Sequence, residues 1–462
     1  MTAEAFLVAS PNTFALRALN YAPGIDRFRT SRGHHRSNRL GDLISELGGS
    51  FGTVFTRIDC EAAYGVPLYA QVDTFSAEPE GRTIRRDAMP RPDRQAVQPW
   101  QILIAAAGQM AEGNLFGRSI IADSRLTSGY CGPDTLALTF DPPGSEHNLW
   151  TYAFLNTNVG LRAIRACAYG TSIPRLRPDL IMEIPIPQAD EQTRKRVATL
   201  VRRAVEQREL YGRELRASRA VIESLPEMQA AHALCAERKP RATIWEGELR
   251  SLCAWNVASV GAALGDLQRA WGRRLADAIV DDGIFYGPRF ARISCSPPHG
   301  VDFMSQRDLF LVRPLPRRIA HPGFDDTKLF VPEDTLMIGA QGTLGEGEIF
   351  GRTALIRGQL SHMAYTQHLL RVLPQPRMAA SLYAYLSTLV GMRLLRSTGV
   401  GTKLLSMRED LLRELPLPDL TDEQTATVTR HVDAAHSARD AATEAEARAI
   451  SIVEEVLSAW PA

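Results

Sequence analysis

Two stretches of the chain repeat apolar or small residues at alternating spacings of four and three positions. The first runs from Val197 to Leu225 and the second from Val428 to Val456. Such spacing is typical of a helix that packs through one narrow seam. Each stretch is therefore predicted to form a helix of about 30 residues, which is about 45 Å at 1.5 Å per residue. The two seams are in the same phase.

The residues that precede each seam predict where the helix begins. Thr421 and Gln424 have the spacing of a capping box, with the threonine at the N-cap position. Ala189 stands where Thr421 stands in the other stretch, so Asp190 is expected to supply the first cap.

The long segments upstream of each helix contain short β-like runs separated by Gly and Pro. Residues 102–122 and 336–356 have apolar runs on both sides of a glycine-containing segment, which predicts a hairpin in each. A brief extended segment follows further on, Pro185–Pro187 in one case and Pro416–Pro418 in the other. Together with at least one helix, these patterns predict an α/β (α+β) fold.

The chain also repeats itself at an offset of about 231–235 residues. Four blocks recur in the same order: 57–66 as 292–301, 102–122 as 336–356, 152–187 as 383–418, and the pair Glu191-Gln192 as Glu423-Gln424. A period near half the chain is too long for a solenoid, so the chain is predicted to be two similar halves.

This organisation predicts two similar globular domains separated by two long helices. The simplest arrangement is an antiparallel coiled coil with a pseudo-two-fold relation between the halves. The predicted segments are residues 1–183 (first globular domain), 184–244 (proline segment, long helix and linker), 245–414 (second globular domain) and 415–462 (proline segment and C-terminal helix).

The repeated block ends resemble the DNA-specificity (S) subunit of type I restriction–modification systems. The resemblance is carried by Ile184–Pro187 with Glu191-Gln192, by Leu415–Pro418 with Glu423-Gln424, and by the pairs Gly170-Thr171 and Gly401-Thr402 upstream. In that family each globular domain is a target recognition domain that reads one half of a split DNA site. The helices space the domains and dock methyltransferase subunits.

The resemblance implies a non-catalytic subunit that recognises a bipartite, asymmetric site in double-stranded DNA. It further implies adenine methyltransferase subunits as partners, with two expected, and it leaves room for a restriction or translocase subunit. The alternative is a duplicated coiled-coil scaffold whose globular heads bind protein partners. Steep salt dependence and sequence preference toward DNA would distinguish the two.

Composition adds constraints rather than a function. The formal net charge is +1, so no global field attracts a polyanion, although charge can still be sorted between faces. Only four of the 53 basic residues are lysine. The arginine excess fits either a genomic base composition or contacts to phosphate and guanine. Six cysteines without a CxxC pair, no membrane-length apolar run and no leader pattern predict a cytoplasmic protein.

No catalytic, cofactor or metal motif emerges. Asp141–Gly144 is similar to the Asp-Pro-Pro-aromatic loop of adenine methyltransferases, but glycine replaces the aromatic residue, which favours a plain turn. The chain has no GxxxxGK[ST] loop, and His34-His35 lack ligand partners at metal spacing. We therefore expect no enzyme activity, no cofactor and no metal.

Candidate DNA contacts fall in loops and basic runs. Shared loop residues suit phosphate, although Gly170 and Gly401 could equally be helix C-caps. Base readers are expected where the halves differ, with a surface role as the alternative. The phosphate candidates are Arg29, Arg32, Arg36, Arg118, Thr171, Ser172, Arg352, Thr402 and Lys403, although the shared Arg118 and Arg352 could instead brace the fold. The base-reading candidates are Gln71, Gln109, Asn114, Gln306, Arg307 and Gln341.

Some seam positions are occupied by residues that interrupt the apolar pattern. Arg208, Tyr211, Arg439 and Glu446 are predicted to face the partner subunits, with a solvated face as the alternative. Cys60 and Cys295 recur beside apolar residues and are predicted to be buried.

Overall fold

The computed structural model describes residues 37–49, 54–110, 113–236, 259–345 and 347–458. By contacts, the chain divides into unit 1, residues 1–209 and 441–462, and unit 2, residues 210–440. Each unit therefore includes part of both long helices. The four-segment division inferred from the sequence stays a prediction.

Unit 1 is a mixed α/β structure. Its strands are Ser37–Arg39, Glu46–Gly48, Val66–Tyr69, Arg82–Ile84, Ile102–Ala105, Ser119–Ile121, Tyr130–Cys131, Thr135–Thr139, Ala168–Tyr169, Arg175–Leu176 and Pro185–Pro187. Its shorter helices are Leu40–Leu43, Gln71–Thr74, Pro92–Gln95, Glu146–Leu155, Asn158–Arg165 and Pro178–Met182, with 3-10 turns at Ala62–Tyr64 and Arg86–Ala88.

Unit 2 has the same kinds of element. Its strands are Arg273–Arg274, Ile279–Tyr286, Val301–Met304, Arg317–Ile319, Leu336–Gly339, Gln341–Gly342, Thr353–Leu355, Ala364–Tyr365, Leu369–Pro374, Gly399–Val400, Leu405–Met407 and Pro416–Leu417. Its shorter helices are Pro226–Cys235, Ser259–Ala270, Asp326–Leu329, Ala379–Leu386, Leu389–Ser397 and Glu409–Arg413, with 3-10 turns at Leu275–Ala278, Asp308–Phe310 and Gly358–His362.

The two larger sheets of each unit correspond strand for strand. Each unit has a four-stranded sheet. When each strand is named by its first residue, the order across the sheet is 46, 135, 102, 119 in unit 1 and 279, 369, 336, 353 in unit 2. Each also has a three-stranded sheet, ordered 82, 66, 130 and 317, 301, 364. The internal repeat of the sequence is therefore a repeat of the fold.

The predicted hairpins and extended segments are found in both units. Ile102 pairs with Ile121, and Leu336 pairs with Leu355, in antiparallel register. The proline segments are edge strands, where a residue without an N–H group is tolerated. Each is fixed by a buried aromatic side chain: Trp150 Nε1 donates to Pro187 O (2.7 Å) and Tyr385 Oη donates to Pro416 O (2.9 Å).

The long helices run over Glu191–Glu223 and Asp422–Ser458. The first ends two residues before the predicted Leu225 because Pro226 begins a separate helix. The predicted caps are confirmed. Thr421 N–H donates to Gln424 Oε1 (2.9 Å) and Gln424 N–H to Thr421 Oγ1 (3.2 Å), while Asp190 Oδ1 accepts from Thr193 N–H (2.8 Å).

The predicted seams are buried within the units. In unit 1, Val197, Val201 and Val205 belong to one apolar core with Ala449 and Val453. In unit 2, Glu214 contacts His431 while Tyr211 contacts His436, so the helices run antiparallel there.

One burial prediction is wrong. Cys60 and Cys295 are only half-buried, because each directly follows an isolated bridge residue and lies outside the strands. The Cys295 thiol donates to His299 O (3.3 Å), and each sulfur lies over a glycine, Gly65 or Gly300, that leaves room for it.

Candidate nucleic-acid interface

Each unit presents a small hairpin that carries the Gly-Thr pair of the sequence repeat. Strands Ala168–Tyr169 and Arg175–Leu176 flank the loop in unit 1, and Gly399–Val400 and Leu405–Met407 flank it in unit 2. Gly170 (φ +86°) and Gly401 (φ +125°) adopt backbone that favours glycine. The helix C-cap alternative is therefore wrong, since the preceding helices end at Arg165 and Ser397.

The predicted phosphate-binding residues of these loops are accessible. The exposed side chains are those of Thr171, Ser172, Thr402 and Lys403. Their hydroxyl and ammonium groups are suited to phosphate oxygens.

Each loop also exposes an aliphatic side chain that the sequence analysis did not single out. Ile173 is 66% exposed and Leu404 is 63% exposed, at matching positions of the repeat. Aliphatic residues at such tips can insert between base steps in the minor groove. The sequence signal for these exposed side chains was an aliphatic residue two positions after the Gly-Thr pair in both halves.

Gln71 and Gln306 occupy equivalent positions, and both are used to hold the end of a neighbouring strand. Gln71 Oε1 accepts from Ala107 N–H (3.2 Å), and Gln306 Nε2 donates to Gln341 O (2.8 Å). Base readers were expected at positions where the two halves differ. Gln71 and Gln306 instead lie at a position where the halves agree. Arg307 is half-buried beside Gln306.

Arg118 and Arg352 brace the glycine-rich turn of the larger hairpin. Arg118 Nε donates to Asn114 O (3.3 Å) and Arg352 Nε to Glu348 O (3.2 Å). Arg165 and Arg396 donate to the same two carbonyls and to the carbonyls of Phe116 and Phe350. The bracing interpretation of these shared arginines agrees with this geometry. Asn114 Nδ2 in turn donates to the carbonyl of the exposed Gln109 (3.2 Å).

In unit 2, four basic side chains lie near one another, and one of them contacts a residue that pairs with the small hairpin. We call Arg289, Arg292, Arg317 and His368 the unit-2 basic cluster. His368 Nδ1 is hydrogen-bonded to Gln341 Oε1, and Gln341 pairs with Ser406 of the hairpin. Loop, strand end and basic cluster therefore form a continuous region.

The positive charges of the arginines in this cluster act on neighbouring members of the cluster. Burial, followed by the positive charges of Arg292 and Arg289, lowers the pKa of His368. Burial and the neighbouring Arg317 lower the pKa of Arg292 as well. For both residues, the positive charges of neighbouring arginines add to the effect of burial, which indicates a positive potential that attracts anions.

The four residues predicted to face partners lie at the buried seam instead. Arg208 is 3%, Tyr211 6% and Glu446 1% exposed, and the side chain of Arg439 is 11% exposed. In unit 1, Glu446 accepts from both Arg208 and Tyr152 Oη. Burial by itself lowers the pKa of Arg208, but the charge and hydrogen bond of Glu446, together with Tyr152 and Asp123, outweigh it and the pKa is raised.

In unit 2, Arg439 donates to Arg357 O (3.1 Å). These polar residues are buried because the periodicity of the seam identifies the side of a helix that another element covers. A polar residue in that phase is therefore covered too.

Some predictions cannot be placed. Arg29, Arg32 and Arg36 lie outside the described residues.

Within the described ranges, no three His, Cys, Asp or Glu residues form a group that could hold a metal ion. Among the helices that the structure describes, none combines the length and the apolar character needed to cross a membrane.

No protein-family model and no curated protein matches the sequence significantly. The chain is similar to solved structures that include the type I restriction-modification S subunit from M. genitalium, at 13% identity and a TM-score of 0.33 over 91% of this chain and 94% of that one. It is also similar to the HsdS subunit from Thermoanaerobacter tengcongensis, at 13% identity and a TM-score of 0.27 over 91% and 95% of the two chains.

A third similar chain comes from a structure describing complex assembly and conformational transition of the type I R-M system, at 15% identity and a TM-score of 0.27 over 91% and 96%. A likeness at these scores identifies no function by itself, so the proposal below is carried by the duplicated geometry.

Proposed function

We propose that the chain is the DNA-specificity subunit of a type I restriction–modification system. In this role it binds a bipartite site in duplex DNA and directs adenine methyltransferase subunits to it, with a restriction subunit able to join. The observation that carries the proposal is the duplication of one reading unit. Both units have the same two larger sheets, the same exposed Gly-Thr hairpin and the same proline strand leading to a capped long helix.

Duplicated units with different surface residues favour an asymmetric site. At the matching hairpin positions, Ser172 of unit 1 is replaced by Lys403 in unit 2. The hydroxyl both donates and accepts a hydrogen bond, whereas the ammonium only donates and carries charge. Two half-sites of different sequence are therefore expected.

Asp141–Gly144, the segment similar to the Asp-Pro-Pro-aromatic loop of adenine methyltransferases, has a structural role in this fold. Gly144 (φ +70°) donates its N–H to Asn148 Oδ1 (2.9 Å), and the following Ser145 caps the helix Glu146–Leu155. This turn positions a helix, which supports a recognition subunit that depends on partners for catalysis.

A methylation map tests the proposal. The chain is co-expressed with the adenine methyltransferase encoded beside it in a host without DNA methylation, and modified adenines are located by sequencing. An asymmetric split motif that disappears when this chain is omitted is the expected result. Methylation that is unchanged without the chain would contradict the proposal and favour a protein-binding scaffold.

A further inference from the structure

Two arginines of the unit-2 basic cluster lie against the same aromatic ring. The guanidinium carbon of Arg292 is 5.0 Å, and that of Arg317 5.6 Å, from the centre of the Phe303 ring. Phe303 is fully buried in strand Val301–Met304, so the ring is a fixed support. Arg292 also donates to Thr366 Oγ1 (3.0 Å). An aromatic ring and a hydroxyl group thus hold the two cations.

The surrounding charges leave this pair with an excess of positive charge. Asp308 attracts Arg292, and its Oδ2 is held by Ser305 N–H (3.1 Å) and Oγ (2.6 Å), so this carboxylate faces two guanidinium groups. The neighbouring Arg318 is paired with Asp302 (3.1 Å). Among the described residues, Arg317 Nε is buried and has no hydrogen-bond partner.

Unit 1 has the same strands but a different charge arrangement. Asp59 bridges to Ile84 as Ser294 bridges to Ile319, and Arg82 pairs with Leu68 as Arg317 pairs with Phe303. At the position of Ser294, Asp59 therefore supplies a carboxylate. It accepts from Arg82 Nε (2.5 Å) and Nη2 (2.7 Å), a bidentate pair.

We propose that Arg292 and Arg317 form an anion site that binds a backbone phosphate of duplex DNA, and that Asp59 occupies the corresponding place in unit 1. The choice of DNA as the source of the phosphate rests on the proposed function. A phosphate oxygen pair presents the same acceptor geometry to a guanidinium as the Asp59 carboxylate does. The two units accordingly contribute unequally to the salt-dependent part of DNA binding.

A reciprocal exchange of the two side chains tests this site in the full-length chain. Ser294→Asp should place a carboxylate beside Arg317 and exclude the phosphate. Ser437→Asp is the matched control, because it adds the same charge at an exposed position of the second long helix. Asp59→Ser should free Arg82 for a phosphate. Affinity for a random-sequence duplex is measured as a function of NaCl concentration.

Losing one phosphate contact should reduce the slope of log K against log salt by about 0.9 and weaken binding about five- to tenfold near 0.1 M salt. Ser294→Asp is expected to show this loss and Asp59→Ser a gain, relative to Ser437→Asp and the unchanged chain. Arg317→Gln removes the charge without adding one and should reproduce the loss. A Ser294→Asp slope equal to that of Ser437→Asp, together with inorganic phosphate that binds both variants equally, overturns the site.

Two further results separate the possible failures. If inorganic phosphate binds the unchanged chain but not Ser294→Asp, as measured by phosphorus NMR line broadening, while the DNA salt slope is the same in both, the assignment to DNA is overturned. If the methylation map lacks a split motif but Ser294→Asp still lowers the slope for random duplex, the proposed function fails and the phosphate site stands.

Discussion

Single residues show how far local chemistry can be inferred from the sequence. The capping box of Thr421 and Gln424, and the substitute cap at Asp190, follow from hydrogen-bonding patterns within four residues. Polar residues at the seam were misassigned, because spacing identifies the covered face but not the partner that covers it. Glu446 and Tyr152 lie 294 residues apart, and no local rule links them.

The cap at Thr421 gives the first prediction. Thr421→Ala leaves the N–H of Gln424 without its acceptor and should lower the free energy of unfolding by about 1 kcal/mol. Thr421→Ser keeps the hydroxyl and should restore most of it. Urea unfolding of the three chains measures the difference, and equal losses for alanine and serine would contradict the capping role.

Buried His436 gives a second prediction, on pH. Both ring nitrogens are buried without a hydrogen-bond partner among the described residues, between the rings of Tyr211 and Tyr383. Burial, followed by the charges of Arg439 and Arg357, lowers the pKa of His436 well below its usual value. The folded chain therefore keeps this histidine neutral at pH values where the unfolded chain protonates it.

The sign follows directly: below about pH 6.5 the unfolded state binds the extra proton, so stability falls as pH falls, by about 1.4 kcal/mol per pH unit from this group. His436→Leu should remove that contribution. Urea unfolding at pH 7.5, 6.5 and 5.5 provides the comparison, in which the gap between the two chains should change with pH. A gap of constant size would refute the assignment.

At the scale of elements, the long helices were the most predictable part. Their phase extends over many residues, and burial follows it from Val197 to Ile222 and from Val428 to Val453. The small hairpins were not predictable, because strands of two or three residues, such as Ala168–Tyr169, carry too little periodicity. What locates them is pairing with distant strands, as when Gln341 pairs with Ser406.

The ion pair at the seam in unit 1 gives the element-scale prediction. Arg208 and Glu446 have side chains that are 4% and 1% exposed. Glu446→Leu leaves the arginine buried without its carboxylate and should cost about 3–5 kcal/mol. Arg208→Leu combined with Glu446→Leu should recover most of this loss, apart from about 1 kcal/mol for the hydrogen bond from Tyr152 Oη.

Glu191 and Lys195 provide the control on the same helix. Their side chains are 68% and 58% exposed, so Lys195→Leu should change stability by less than about 0.5 kcal/mol. Thermal unfolding compares all four chains. If the double variant loses as much as Glu446→Leu, the cost lies in packing and not in the unpaired charge.

At the scale of the molecule, the repeat in the sequence proved the strongest predictor. Matching blocks at a nearly constant offset identified two similar halves, and the two larger sheets of each unit correspond strand for strand. The asymmetry was harder to infer. Asp59 and Ser294 align in the repeat, but the consequence depends on Arg82 and Arg317, which only the strand register brings beside them.

Exchange of a globular segment gives the molecular prediction. Replacing residues 1–183 by the corresponding segment of an S subunit with a different target should change one half of the methylated motif and leave the other half intact. Replacing residues 245–414 should change the opposite half. A motif that changes in both halves after either exchange would contradict independent reading by the two segments.

Unit 1 is assembled from two stretches of chain that are far apart in sequence and are therefore synthesised at different times. Its last part begins at Ala441, so the carboxylate of Glu446 is synthesised 238 residues after Arg208. At 5–20 residues per second, that delay is roughly 10 to 50 s on the ribosome. Unit 2 is continuous and can be completed first, although it begins later. During translation, the seam of unit 1 therefore stays uncovered until the C-terminal helix is made, and its exposed apolar surface favours aggregation in that interval.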